Sequence, residues 1–184
     1  FRPEELANVQ AFLANAEMVW EWYQYRRNVL AEARPNAGHV ALAEWEKAAP
    51  HFTLITQNVD GLHRRAGSQR VLELHGNIRI NRCQTCGLES SEESVTFTGR
   101  VPLCEFCGGM LRPGVVWFGE SLPEHELEEA FRATESCDLF VTIGTSAQVY
   151  PAASLPEMAR ARGATVLEVN TAETAVTSVA TFHL

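Results

Sequence analysis

The stretch "HFTLITQNVDG", residues 51–61, decides the fold. It is a short apolar, β-branched run that stops abruptly in polar residues. A strand buried on both faces reads this way where it ends at the edge of a parallel sheet. The pattern returns twice. "CDLFVTIGTS", 137–146, ends in Gly144-Thr145-Ser146, and "GATVLEVNT", 163–171, ends in Asn170. Helical patterns precede or separate these runs, "PEHELEEAFRAT" at 123–134 and "LPEMARARG" at 155–163. Short buried strands alternating with helices predict an α/β fold with a Rossmann-like parallel sheet. Such sheets bind ligands just past the C-terminal ends of their strands. The three polar ends are therefore candidate parts of one nucleotide-sized crevice, although each alone also fits an ordinary strand-to-loop transition.

Outward from that frame, the first thirty residues read as helical. Pro3 suits a first helical position, Glu4 and Glu5 suit an opening turn, and Arg26 and Arg27 suit the later turns. A second helix is predicted from about Ala37 to Ala48, after the break at "RPNAGH".

The grammar changes between Arg82 and Arg112. "CQTCGLESSEESVTFTGRVPLCEFCGG", 83–109, is polar and poor in core-forming residues. Cys83, Cys86, Cys104 and Cys107 form C-x2-C-x17-C-x2-C, the spacing of a paired zinc knuckle. Each C-x-x-C turn presents two thiolates on one side of a tight loop, and Gly87 and Gly108 let the chain turn away afterwards. Four thiolates close the coordination sphere, so the Zn2+ is expected to be structural. The competing readings are two redox dithiols or free buried cysteines. The expected organisation is a Rossmann-like part over 1–81, a zinc-binding module over 82–112 and a second Rossmann-like part over 113–184. A fifth cysteine, Cys137, reads as a small core residue at a strand start.

Composition narrows the function classes. Of 184 residues, 46% are hydrophobic and 21% charged, which is globular rather than disordered. The net charge of −8 disfavours a nucleic-acid partner, because phosphate binding needs clustered Lys and Arg. No run is long enough to span a membrane. The opening residues carry no apolar signal segment. An odd cysteine count concentrated in knuckles points to a reducing, cytoplasmic setting.

Chemistry-bearing residues cluster at the strand ends. "TQNVDGLH" offers Gln57, Asn58, Asp60 and His63, and amides that both donate and accept suit ribose hydroxyls or a carboxamide. "IGTS" combines a glycine for close backbone approach with two hydroxyls. "VVWFGESL", 115–122, sets Trp117 and Phe118 before Gly119, as an apolar tunnel wall or a core strand ending in a turn. His75, eight residues ahead of Cys83 in "VLELHGNIRINRC", reads as a metal ligand, a structural histidine or a catalytic base. The four cysteines already fill a zinc site without it.

Together these stretches resemble the sirtuin family of NAD-dependent protein lysine deacylases. The similar segments are "PNAGH", "ITQNVDGLHRRAG", "LELHG", the paired C-x-x-C, "RPGVVWFGE", "IGTSAQVYPAA" and "EVNT", in family order from about residue 20 to 171. The resemblance implies that His75 is the catalytic base. It implies that Gln57, Asn58 and Asp60 surround the nicotinamide and its ribose. Gly144, Thr145 and Ser146 are then the cofactor loop, and Asn170 an adenosine-ribose contact. Val116, Trp117, Phe118, Gly119 and Val149 become the acyl-lysine tunnel and the edges that pair with an acyl-lysine peptide. The implied reaction has the acyl oxygen attack the ribose carbon as nicotinamide leaves. A base then activates a ribose hydroxyl, and the products are free lysine, nicotinamide and O-acyl-ADP-ribose.

Tyr23 and Arg26 in "WEWYQYRR", three apart on one helical face, read by pattern as a core tyrosine and a solvated arginine. They also resemble the Y-x-x-R signature of the sirtuin branch that removes succinyl and malonyl groups. The family pattern further implies a strand and a glycine-rich cofactor loop ahead of the helical region that opens this sequence. Without them, weak NAD binding and little turnover are expected. The alternatives are an NAD-binding fragment without catalysis, a zinc-stabilised interaction module and a zinc-ribbon nucleic-acid binder.

Overall fold

The computed structural model describes residues 2–184. The chain forms two compact units, Phe1–Pro123 and Glu124–Leu184.

In the first unit the opening helical region is three helices, not one: α1 (Pro3–Leu6), α2 (Val9–Ala14) and α3 (Ala16–Glu32). Two asparagines make the breaks. The side chain of Asn8 accepts from the Ala11 amide at 2.7 Å and that of Asn15 from the Met18 amide at 3.0 Å. An Asn that satisfies the free amides of a new helix also stops the one before it. Pro3 does occupy the first turn of α1. Helix α4 (Ala37–Ala48) has the predicted bounds and is capped by Asn36, which exchanges hydrogen bonds with His39.

Strand β1 (Leu54–Thr56) is followed by the short helix α5 (Leu62–Arg65), and β2 (Val71–Glu73) pairs parallel to β1. The chain then enters β3 (Gly76–Cys83), β4 (Glu89–Ser91) and β5 (Leu111–Val115), an antiparallel sheet in the order β4-β3-β5. The cysteine knuckles close this sheet at one end.

Helix α3 packs on that sheet through Val19, Trp20, Tyr23 and Arg27, which recur on one helical face. Trp20 donates its indole N–H to the Leu111 carbonyl at 2.8 Å and stacks on Phe97, centroids 5.8 Å apart. With Phe12, Ile78 and Trp117 these residues form the core of the unit.

The second unit carries α6 (Glu124–Ser136), β6 (Leu139–Ile143), α7 (Leu155–Ala161), β7 (Thr165–Val169) and β8 (Phe182–His183). Its three strands run parallel in the order β6-β7-β8. Val166 of β7 packs with Ala159 and Ala164, and Cys137 lies against this cluster, partly buried. Helices joined to parallel strands in both units make the fold α/β and Rossmann-like. No helix among the described residues is long and apolar enough to cross a membrane.

Candidate active site

His75 sits in the turn from β2 to β3. The next residue, Gly76, has φ +73, and a Cβ there would lie 2.1 Å from the Gly114 carbonyl oxygen. Only glycine permits this close approach of β5, so the position of His75 depends on it. The His75 carbonyl accepts from the Val116 amide at 2.9 Å, which ties the turn to the segment after β5.

The His75 ring is half-buried, and its Nδ1 lies 3.1 Å from the Gln57 carbonyl oxygen. A carbonyl only accepts, so Nδ1 carries the proton and Nε2 holds the lone pair in the neutral ring. Burial pushes the His75 pKa below its ordinary value, while the bond to Gln57 opposes that shift. The arrangement makes Nε2 a base at neutral pH. His75 is far from a ligand role in its contacts: among the described residues, the metal-competent cluster consists of the four cysteines alone.

The polar end of β1 leads into this histidine. Gln57 contributes its backbone carbonyl, and the Asn58 amide donates to Thr56 Oγ1 at 3.1 Å. Asp60 Oδ1 accepts from the Leu62 amide at 2.8 Å, starting α5. The second carboxylate oxygen of Asp60 and the side-chain amides of Gln57 and Asn58 have no hydrogen-bond partner among the described residues, so they remain available to a ligand.

Segment 112–120 is folded around Trp117. Glu120 accepts from the Trp117 amide at 2.8 Å and from both terminal nitrogens of Arg112, a residue with no exposure. Arg82 stands 3.6 Å from the same carboxylate. Burial pushes the Glu120 carboxyl up, but the hydrogen bonds from Arg112 and the Trp117 amide, with the charges of Arg112 and Arg82, together hold its pKa below the ordinary value. The Arg112 guanidinium lies 3.3 Å over the Trp117 ring. Trp117 is therefore core, at 1% exposure, whereas Phe118 and Gly119 are exposed and Val116 is half-buried. Neither Arg112 nor Glu120 stood out in the sequence reading. The only signal was two opposite charges closing the two ends of one motif.

Tyr23 and Arg26 differ in surroundings. Tyr23 is 1% exposed, and its hydroxyl accepts from Trp117 Nε1 at 2.8 Å. Burial raises its pKa to about 12, so the phenol stays protonated. Arg26 is half-buried with its guanidinium 4.6 Å over the Trp22 ring, and no carboxylate pairs with it among the described residues. Its neighbour Arg27 is the structural arginine. It is buried and donates to the carbonyls of Ile78 at 2.8 Å and Ile80 at 3.2 Å and to Asn81 Oδ1 at 2.8 Å.

The four cysteine sulfurs lie within 4.8 Å of one another, with Cys83–Cys107 at 3.5 Å and Cys86–Cys104 at 3.8 Å. A tetrahedral site with zinc–sulfur bonds of about 2.3 Å has sulfur–sulfur edges of about 3.8 Å, so the residues fit Zn2+. Backbone amides of Cys86 and Thr85 point at Cys83 Sγ and lower its pKa to about 6. At Cys107 the opposing effect of the Gly109 amide is outweighed by the neighbouring sulfurs of Cys83 and Cys86, which push the thiol up to about 12, so the cluster needs a cation among its sulfurs to ionise fully.

In the second unit, Gly144, Thr145 and Ser146 follow β6 directly. Thr145 Oγ1 accepts from the Ala147 amide at 3.2 Å, and Ala147 holds a left-handed φ of 51. Asn170, at the end of β7, donates Nδ2 to the Thr145 carbonyl at 2.9 Å and accepts from the Thr171 amide at 2.9 Å. It therefore fastens the glycine loop to the neighbouring strand end. Val149 is exposed in the loop beyond.

A profile of the Sir2 family matches residues 1–151. An NAD-dependent protein deacylase of Aquifex aeolicus is 52% identical over 183 residues, which is 100% of this chain and 77% of that protein. NAD-dependent protein deacylase 1 of Archaeoglobus fulgidus is 48% identical over 184 residues, covering 100% of this chain and 75% of its own length. Among solved structures, a Sir2 homologue in complex with NAD superposes with a TM-score of 0.95 at 48% identity, over 100% of this chain and 72% of that one. A Sir2 protein bound to an acetylated peptide superposes with a TM-score of 0.90 at 34% identity, over 97% of this chain and 76% of that one.

Proposed function

The chain belongs to the Sir2 family, and from that premise we propose that it removes acyl groups from protein lysines with NAD, preferring succinyl and malonyl over acetyl. The NAD-dependent deacylase activity is the one its relatives carry in their names. The observation that carries the catalytic assignment is the Nδ1 contact of His75 with the Gln57 carbonyl, which leaves Nε2 as the base. NAD, when bound, supplies the electrophilic ribose carbon and the hydroxyl that His75 deprotonates. Gln57, Asn58 and Asp60 present free polar groups beside that histidine, suited to a ribose and a carboxamide. Gly144, Thr145, Ser146 and Asn170 form the proposed cofactor loop. Val116, Phe118 and Gly119 in the first unit and Val149 in the second are each proposed to contact an acyl-lysine peptide, and Trp117 is buried in the core of the first unit. Zn2+ holds the module of Cys83, Cys86, Cys104 and Cys107 and takes no part in the reaction. Thiolate ligands suit a reducing, cytoplasmic setting.

The acidic-acyl preference is supported by Arg26, a half-buried guanidinium with no carboxylate partner among the described residues, 6.0 Å from the Tyr23 ring centroid. A guanidinium and a phenol together suit a carboxylate through charge-assisted hydrogen bonds. The test is turnover of matched succinyl- and acetyl-lysine peptides with NAD, with mass spectrometry of O-acyl-ADP-ribose. Arg26→Met should weaken desuccinylation far more than deacetylation. Equal losses on both peptides would end the acidic-acyl assignment, and no product from any peptide would end the deacylase assignment.

A further inference from the structure

Tyr23 makes one hydrogen bond, and in it the phenol oxygen is the acceptor. The donor is Trp117 Nε1 at 2.8 Å. The hydroxyl proton has no acceptor among the described residues, although the side chain is 1% exposed. A buried O–H without an acceptor is a standing cost that a native core normally avoids.

The donor is held firmly. Trp117 carries the Arg112 guanidinium on its face at 3.3 Å and Phe12 at a centroid distance of 5.2 Å. Its backbone amide is bound by Glu120 at 2.8 Å, and the Phe118 amide is bound by the Ala7 carbonyl at 2.9 Å. These contacts pack the indole and direct its N–H at the Tyr23 oxygen. The phenol is left with one role, to donate. Arg26 lies next to it, its guanidinium 6.0 Å from the Tyr23 ring centroid.

We propose that Trp117 is a positioning residue for substrate choice, which fixes the Tyr23 hydroxyl as a donor to the carboxylate of an acidic acyl-lysine. The proposal rests on the acidic-acyl reading above. An acetyl group offers the phenol nothing and leaves its proton unmatched, whereas a succinyl or malonyl carboxylate accepts it. A site built to hydrogen-bond one group discriminates strongly against an analogue lacking it. Tyr23 is buried in this conformation, so the acyl carboxylate would reach its hydroxyl only from the side opposite Trp117.

The test compares Trp117→Phe, Tyr23→Phe and the double variant on succinyl- and acetyl-lysine peptides with NAD. Trp117→Phe keeps the ring and removes the N–H. It should raise KM for the succinyl peptide about tenfold more than KM for the acetyl peptide, the size of one hydrogen bond to a charged group. The double variant should be no worse than Tyr23→Phe alone, because both remove the same interaction. Proportional losses on both peptides, or multiplicative losses in the double variant, would overturn the proposal. If Tyr23→Phe and Arg26→Met are selective while Trp117→Phe is not, the acidic-acyl reading stands and the Trp117 role falls. If none is selective, both fall. A second measurement uses the unmutated protein. The sequence has four tryptophans, Trp20, Trp22, Trp45 and Trp117, so the Trp117 indole N–H resonance is assignable by difference from Phe variants of the other three. It should shift further on adding succinyl-lysine peptide than on adding acetyl-lysine peptide. An equal response to both would count against the proposal even if Trp117→Phe failed to fold.

Discussion

His75 Nδ1 lies 3.1 Å from the carbonyl oxygen of Gln57, a contact between the turn after β2 and the loop after β1. It sets the tautomer of the ring with a backbone group, which no side-chain substitution at position 57 removes. His75→Asn should reduce deacylation by about 10²- to 10⁴-fold, the usual range for a general base, and leave zinc content unchanged. Zinc measured on the purified variant checks the second half. A loss of metal would return His75 to the role of ligand.

The acidity of His75 gives a pH prediction. Burial lowers its pKa from the ordinary value of 6.5, and the ring works as a base only when neutral. Falling pH protonates it, so the acidic limb of kcat/KM should lie below 6.5. A limb above that value would assign the titration to another group.

The same direction applies to stability. His63 and His75 are both shifted down, His63 by burial and by His39, whose ring is 4.6 Å away. In the unfolded chain both take up protons near the ordinary value, whereas the folded chain resists until lower pH. Stability is therefore complete above about 6.5 and declines as pH falls from there through the lowered values. Thermal midpoints from pH 7.5 to 5 should fall across that window. His63→Gln should flatten the decline.

The cysteine cluster predicts one zinc per chain. Chelation, or Cys104→Ala, should release it and loosen the β3–β5 sheet, because little apolar area holds this module together. Trp20, stacked on Phe97 and bonded to the Leu111 carbonyl, should report the loss as a red-shifted fluorescence. Metal release without a spectral change would show the sheet to be self-supporting.

Adjacent arginines should behave in opposite ways. Arg27→Met strips donors from the Ile78 and Ile80 carbonyls and from Asn81, and removes a cation 3.7 Å from Glu92. Its cost should be about 2–4 kcal/mol in urea denaturation. Arg26→Met should cost well under 1 kcal/mol, since Arg26 makes no ion pair among the described residues. Similar losses for the two would contradict the structural role assigned to Arg27 alone.

Several features of the protein were legible in its residues alone. The zinc ligands were, because C-x-x-C is a local turn whose geometry its own spacing sets. So were helix α4 and the strands β1, β6 and β7, whose apolar runs and bounding polar residues lie within a few positions of each other. The first helical region was legible as helix, but its division at Asn8 and Asn15 was not, since an asparagine caps only if the chain bends to let it. Tertiary structure alone decided which of two neighbouring arginines is buried and which is half-buried over the Trp22 ring. It also decided that Trp117 faces the core and meets Tyr23, 94 positions away in the chain, and that Glu120 folds back on Arg112. Sequence spacing carries information about contacts made within a turn or two of helix or strand. Which group donates to the Tyr23 oxygen depends on a partner that packing brings from 94 positions away.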